Sequence, residues 1–181
     1  TVNPIPIVNT PETLTYCNGE ITNTIVPSGT GSSYTWTNTN TQIGLNETNG
    51  NTSINPFTTN NNEQVPVSTT INWTPTFTYN DYSCNGATMA QDIVVNPTPE
   101  VEPIEDKYLC NGEESPIINF IGTGTSYEWF NDNNTIGLSS FGIGVIQNFY
   151  GINNSTDTPE NASIIVESIY TNNGLSCPGS S

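Results

Sequence analysis

Four cysteines, at positions 17, 84, 110 and 177, are the residues of this chain whose spacing speaks most directly to chemistry. Sixty-seven residues separate Cys17 from Cys84, and 67 again separate Cys110 from Cys177. Four cysteines allow three connectivities. The equal intervals favour Cys17–Cys84 and Cys110–Cys177, one bridge for each half of the chain. A bridge closing a loop of that length contributes on the order of 4 kcal/mol in the chain-entropy account, a large share of what a domain of this size musters. Zinc is the rival reading, but the chain has no Cys-x-x-Cys pair and no His, so disulfides and an oxidising compartment are favoured.

The ionisable residues are lopsided. Seventeen Asp and Glu stand against one Lys, with no Arg and no His, for a formal net charge of -16. Such a surface repels nucleic acid and anionic membranes, since it offers phosphates no cations. Without His or Arg there is no ordinary general base near neutral pH and no guanidinium clamp. The paired carboxylates Glu105-Asp106 and Glu113-Glu114 are adjacent in sequence and mark no cleft for glycoside hydrolysis. The expectation is a protein that is not an enzyme. Calcium is the one cofactor worth weighing. Glu100, Glu102, Glu105 and Asp106 cluster after a proline-rich stretch and offer hard oxygen ligands. Asn131-Asp132-Asn133-Asn134 is a second oxygen-rich run. Solvated acids are the favoured reading of both. Tyr82, Phe141 and Tyr150 fall in variable stretches and offer the aromatic faces of a surface-polysaccharide site as the functional alternative. Lys107 is the single basic residue, so trypsin-like proteases have one bond to cut, which suits a surface fibre.

These residues sit in a repeated frame. Shifted by 93, Val2-Asn3-Pro4 meets Val95-Asn96-Pro97, and Cys17-Asn18-Gly19-Glu20 meets Cys110-Asn111-Gly112-Glu113. Gly29-Thr30-Gly31 meets Gly122-Thr123-Gly124, Tyr34 and Trp36 meet Tyr127 and Trp129, and Ile43-Gly44-Leu45 meets Ile136-Gly137-Leu138. Ser83-Cys84 closes on Ser176-Cys177. Residues 46–65 against 139–158 keep length but not residues, as variable loops would. The repeat divides the chain into modules 1–97 and 98–181. The calcium candidates are not a repeat feature, because the matching positions are Ile7, Asn9, Glu12 and Thr13.

Each module reads as strands. Tyr34-Thr35-Trp36-Thr37 and Tyr127-Glu128-Trp129 alternate, which turns both aromatics of each pair toward one core. Ile71, Trp73, Pro75, Phe77 and Tyr79 share one face of a later strand, answered by Ile164, Val166, Ser168 and Tyr170. Gln91–Val95 reads as a last strand running into the junction Asn96-Pro97-Thr98-Pro99. Asn-Gly pairs at 18–19, 49–50, 85–86, 111–112 and 173–174 signal tight turns. Helical periodicity is absent. The fold class expected is all-β, with two tandem immunoglobulin-like sandwiches of about seven strands, each with a buried Trp and one bridge. No run approaches the roughly 18 apolar residues of a membrane span.

The frame is offset. The start at Thr1-Val2-Asn3-Pro4 reads as the middle of a larger precursor, and the strand matching Thr88–Val94 would begin at 181. Either the chain is cut there, or an edge is left to accept a strand from a neighbour.

The pattern Val2-Asn3-Pro4, Cys17-Asn18-Gly19, Tyr34 with Trp36, Ile43-Gly44-Leu45 and Cys84, repeated at +93, resembles the PKD-like repeats of Bacteroidota cell-surface proteins. Giant adhesins carry such repeats, including the gliding-motility adhesin exported by type IX secretion. The resemblance implies an extracellular rod of immunoglobulin-like modules at the bacterial surface, which spaces adhesive parts from the cell and contacts neighbouring repeats of the same filament. It brings no catalytic residues.

Overall fold

A computed structural model describes residues 1–179 and is all-β. The chain divides into two compact units, Thr1–Pro97 and Thr98–Ser181.

In the first unit the alternation seen in the sequence builds a six-stranded sheet. Its strands are β1 (Leu14–Cys17), β2 (Ser33–Asn38), β3 (Asn49–Asn51), β4 (Val67–Tyr79), β5 (Tyr82–Asn85) and β6 (Met89–Asn96). The order is β1-β6-β4-β2-β3, with β5 paired to the far end of β4. All pairings are antiparallel except β1 with β6, which is parallel and aligns Leu14 with Ile93 and Cys17 with Asn96. The second unit repeats the centre of this sheet. Its strands β7 (Ser126–Asn131), β8 (Phe141–Ile143), β9 (Ile164–Asn172) and β10 (Leu175–Pro178) run in the order β10-β9-β7-β8. The opposing layer of each unit is extended chain joined at single bridges: Ile21 to Thr58 and Ile25 to Ile54 in the first, Glu114 to Tyr150 and Ile118 to Ile146 in the second. With six strands in one unit and four in the other, the expected seven per module are not found among the described residues.

Strand β4 shows why the sheet holds. Thr69, Ile71, Trp73 and Pro75 are buried at alternate positions, while their neighbours are only partly covered. The expected face ends there: Phe77 is half-buried and Tyr79 is exposed, because β4 runs past the core into the β4–β5 hairpin. That hairpin turns on Asn80 and Asp81, both at positive φ, and the β9–β10 hairpin turns on Asn173 and Gly174 in the same way. The pair Asn49-Gly50 is no turn. Gly50 lies in β3 opposite Trp36, and a Cβ there would come within 2.5 Å of the indole ring. Gly142 stands under Trp129 in the same relation, at 2.1 Å. A glycine on the neighbouring strand thus lets each Trp lie flat across the sheet.

That match carries a second consequence. Gly50 and Gly142 are 92 residues apart, as are Ile54 and Ile146, Phe57 and Phe149, and Asn61 and Asn153. The pairs make equivalent bonds, such as Ile25 N–H to Ile54 O and Ile118 N–H to Ile146 O. The stretch that reads as variable at a shift of 93 is the same structure displaced by one residue.

The tryptophans Trp36 and Trp129 are buried, as their alternation implies, whereas Tyr34 and Tyr127 are half-buried at the rim. Tyr34 accepts a hydrogen bond at its hydroxyl from Gly31 N–H, and Tyr127 packs against Phe120. Behind each Trp lies a buried asparagine. Asn38 Nδ2 donates to Leu45 O and Glu47 O while its Oδ1 accepts from Thr69 Oγ1 and Asn40 N–H. Asn131 Nδ2 likewise donates to Leu138 O and Ser139 O.

Gly50→Ala and Gly142→Ala are each expected to destabilise their own unit by about 1–3 kcal/mol, as overpacking under a rigid ring does. Thermal unfolding of the two variants measures this.

Candidate functional site

The cysteines depart from the expected pairing. Cys17 and Cys177 are disulfide-bonded, whereas Cys84 and Cys110 are free thiols. The expected bridges Cys17–Cys84 and Cys110–Cys177 are therefore corrected, and strand register gives the reason. Cys17 is level with Asn96, one step beyond the Val67–Val95 pair, whereas Cys84 is level with Phe77. Ten residues of β4 lie between those levels, roughly 33 Å at the rise of a strand, against the 7 Å or less between Cα atoms that a disulfide spans. In the second unit Cys177 is level with Tyr170. Cys110 opens a turn bonded to Gly151 and Asn153, beyond the end of β9 where Asn131 meets Ile164.

The acids of the CNGE turns are structural. Glu20 Oε2 accepts from Cys17 N–H at 3.0 Å, and Glu113 Oε2 accepts from Cys110 N–H at 2.7 Å. Glu114 bonds the Asn148 amide. Burial, with the charge of Glu20 as a lesser cause, raises the Tyr16 hydroxyl above its ordinary pKa. The calcium candidates Glu100, Glu102, Glu105 and Asp106 are exposed and do not converge: no group of three or more acidic, His or Cys side chains among the described residues is placed to hold a metal ion. Glu100 and Glu102 are held by backbone hydrogen bonds to Thr123 and Ile121. The run at 131–134 spends its oxygens internally. Asn131 Oδ1 accepts from Asn133 N–H, Asn133 Oδ1 from Thr135 N–H, and Asp132 Oδ1 from Ser163 N–H. Tyr82 and Tyr150 are exposed but belong to different units, and Phe141 packs on Phe130. Neither unit gathers these aromatics into one platform.

What the second unit does present is a cavity of about 660 Å³. Its apolar lining includes Leu109, Ile118, Ile136, Phe149, Ile164 and Val166. Strand β10 covers β9 only from Ile169 to Asn172, so the first half of that edge faces the cavity. In the first unit the same place is filled. There β6 pairs with β4 from Val67 to Trp73 and buries Ile93 and Val95 completely. The cores differ accordingly: ten buried apolar residues form the first cluster and three the second. No known protein-family model matches the chain, and no curated protein does.

Alkylation of the unfolded, unreduced chain followed by peptide mapping is expected to label Cys84 and Cys110 and to leave Cys17 and Cys177 unlabelled. Absence of label at both Cys84 and Cys110 would return the pairing to the modules.

Proposed function

We propose that the chain is a structural repeat segment of a long extracellular bacterial surface adhesin or filament, a rod-like spacer of immunoglobulin-like, PKD-like modules that presents adhesive parts. One observation carries the reading: the sequence repeat is also a repeat of backbone contacts. Val8 bridges Gly29 as Val101 bridges Gly122, and Ile25 bridges Ile54 as Ile118 bridges Ile146. Two copies of one device, with no cluster of metal-holding side chains among the described residues, suit a mechanical part.

The path of the chain through a unit supports a spacer. It enters the first unit at Pro6, whose carbonyl lies against Gly86 near Pro75, and leaves at Asn96, one step beyond Val67. Those levels on β4 are roughly 30 Å apart. Each such module carries the chain from one end of its sheet to the other, as a linear array requires. Pro97 and Pro99 stiffen the connecting peptide by restricting φ. Disulfide bonding at Cys17 and Cys177 and a near absence of basic residues fit export to an oxidising, protease-rich exterior, and the sequence resemblance adds type IX secretion and gliding motility as the setting.

Electron microscopy of the native assembly tests this. The expected result is a fibre whose length grows by roughly 30–40 Å for every 93 residues of repeat; compact particles whose size does not scale with repeat number would refute it.

A further inference from the structure

Cys84 and Cys110 carry thiols that a spacer leaves unused, and their counterparts in the repeat show what such thiols do. Shifted by 93, Cys17 meets Cys110 and Cys84 meets Cys177. Cys17 and Cys177 are disulfide-bonded, one cysteine from a CNGE turn with one from a hairpin strand, whereas Cys110 and Cys84 are free. The free pair therefore also holds one cysteine of each kind.

Each free thiol stands in the same local frame as its bonded counterpart. Cys17 N–H donates to Glu20 Oε2 at 3.0 Å, and Glu20 N–H donates back to Cys17 O at 3.2 Å. Cys110 and Glu113 make the same two bonds, at 2.7 and 3.0 Å. The chain then turns on Gly19 and Gly112, at φ 79° and 80°. In the hairpins Cys84 lies opposite Phe77 and Cys177 opposite Tyr170, positions that the period of 93 equates. One step before each cysteine a hydroxyl pair joins the two strands, Thr78 with Ser83 and Thr171 with Ser176, both at 2.9 Å. What differs is cover. Cys177 is buried and Cys84 only half-buried, while Cys17 is half-buried and Cys110 exposed. In both pairs the free thiol is the more accessible, as thiol–disulfide exchange requires.

We propose that Cys110 of one copy of this chain forms a disulfide with Cys84 of a second copy, so that copies join head to tail. The bond is of the kind the chain already holds, turn cysteine to hairpin cysteine. Each copy offers one thiol of each kind, which makes the contact heterologous and lets it extend from copy to copy. It goes beyond the spacer reading, which needs no bond between chains. A small-molecule disulfide such as oxidised glutathione is the oxidant. The Cys110 thiolate attacks one glutathione sulfur and releases one glutathione. The Cys84 thiolate of the second copy then attacks the Cys110 sulfur of that mixed disulfide and releases the other. Two protein thiols are oxidised and one glutathione disulfide is reduced to two thiols. Charge opposes the encounter, because each copy carries a net charge of -16 and Glu113 sits beside Cys110. Salt screens that repulsion.

The test is to incubate the intact chain, its Cys17–Cys177 bond unreduced, with oxidised glutathione in about 0.5 M salt and to run it on a non-reducing gel. A ladder of dimers, trimers and larger species is expected, collapsing on reduction, with Cys84 linked to Cys110 in peptide maps. Cys84→Ser and Cys110→Ser each retain one kind of thiol and should stop at the glutathione adduct. An equal mixture of the two variants should give dimer and nothing larger, roughly tenfold faster than either alone. No ladder, a Cys84–Cys110 bond confined to monomers, or single variants that dimerise as fast as their mixture would overturn the proposal.

Discussion

The pairing of β6 with β4 is the interaction on which the order of a complete unit depends. It does three things at once. It closes the sheet edge over Ile71 and Trp73, it inserts Ile93 and Val95 into the core, and it creates the partner without which β1 is not a strand. Ile93 and Val95 lose all contact with water, and burying an aliphatic side chain contributes about 1.5–3 kcal/mol. The second unit shows the same scaffold without that strand. Its Trp, its glycine beneath, its buried asparagine and its CNGE turn are all in place, yet among its described residues the buried apolar cluster holds only Trp129, Leu138 and Ile146. The features held by local geometry survive, and those held by the closing strand do not.

Much of this was legible in residue order. A period of 93 and the alternation around Trp36 and Trp73 have direct physical causes, since side chains on a strand change face at every step. Other features were not legible, each for an identifiable reason. The cysteine intervals report that two modules share a plan, but interval says nothing about which end of a sheet each cysteine occupies, and the register of β1 on β6 places Cys17 far from Cys84. A one-residue displacement hid the equivalence of Gly50 with Gly142 and of Asn61 with Asn153 from a comparison at constant shift. Asn49-Gly50 has the composition of a turn, but the Trp opposite needs a glycine in a strand, and packing overrides the local preference. Asn131 and Asn133 read as metal-ligand oxygens only while their hydrogen-bond partners are unknown.

The same evenness of design bears on function. The side chains with polar chemistry are spent on structure: Glu20 and Glu113 close turns, Asn38 and Asn131 hold loops, and Asn61 grips β6.

The most direct measurement of this account is amide hydrogen exchange on the intact chain, comparing β4 with β9. The amides of Thr69–Trp73 should exchange only with the global opening of the first unit, while those of 162–166 should exchange orders of magnitude faster, as an edge without its strand does. Equal protection of the two segments would contradict the claim that the closing strand, rather than the shared scaffold, holds the fold.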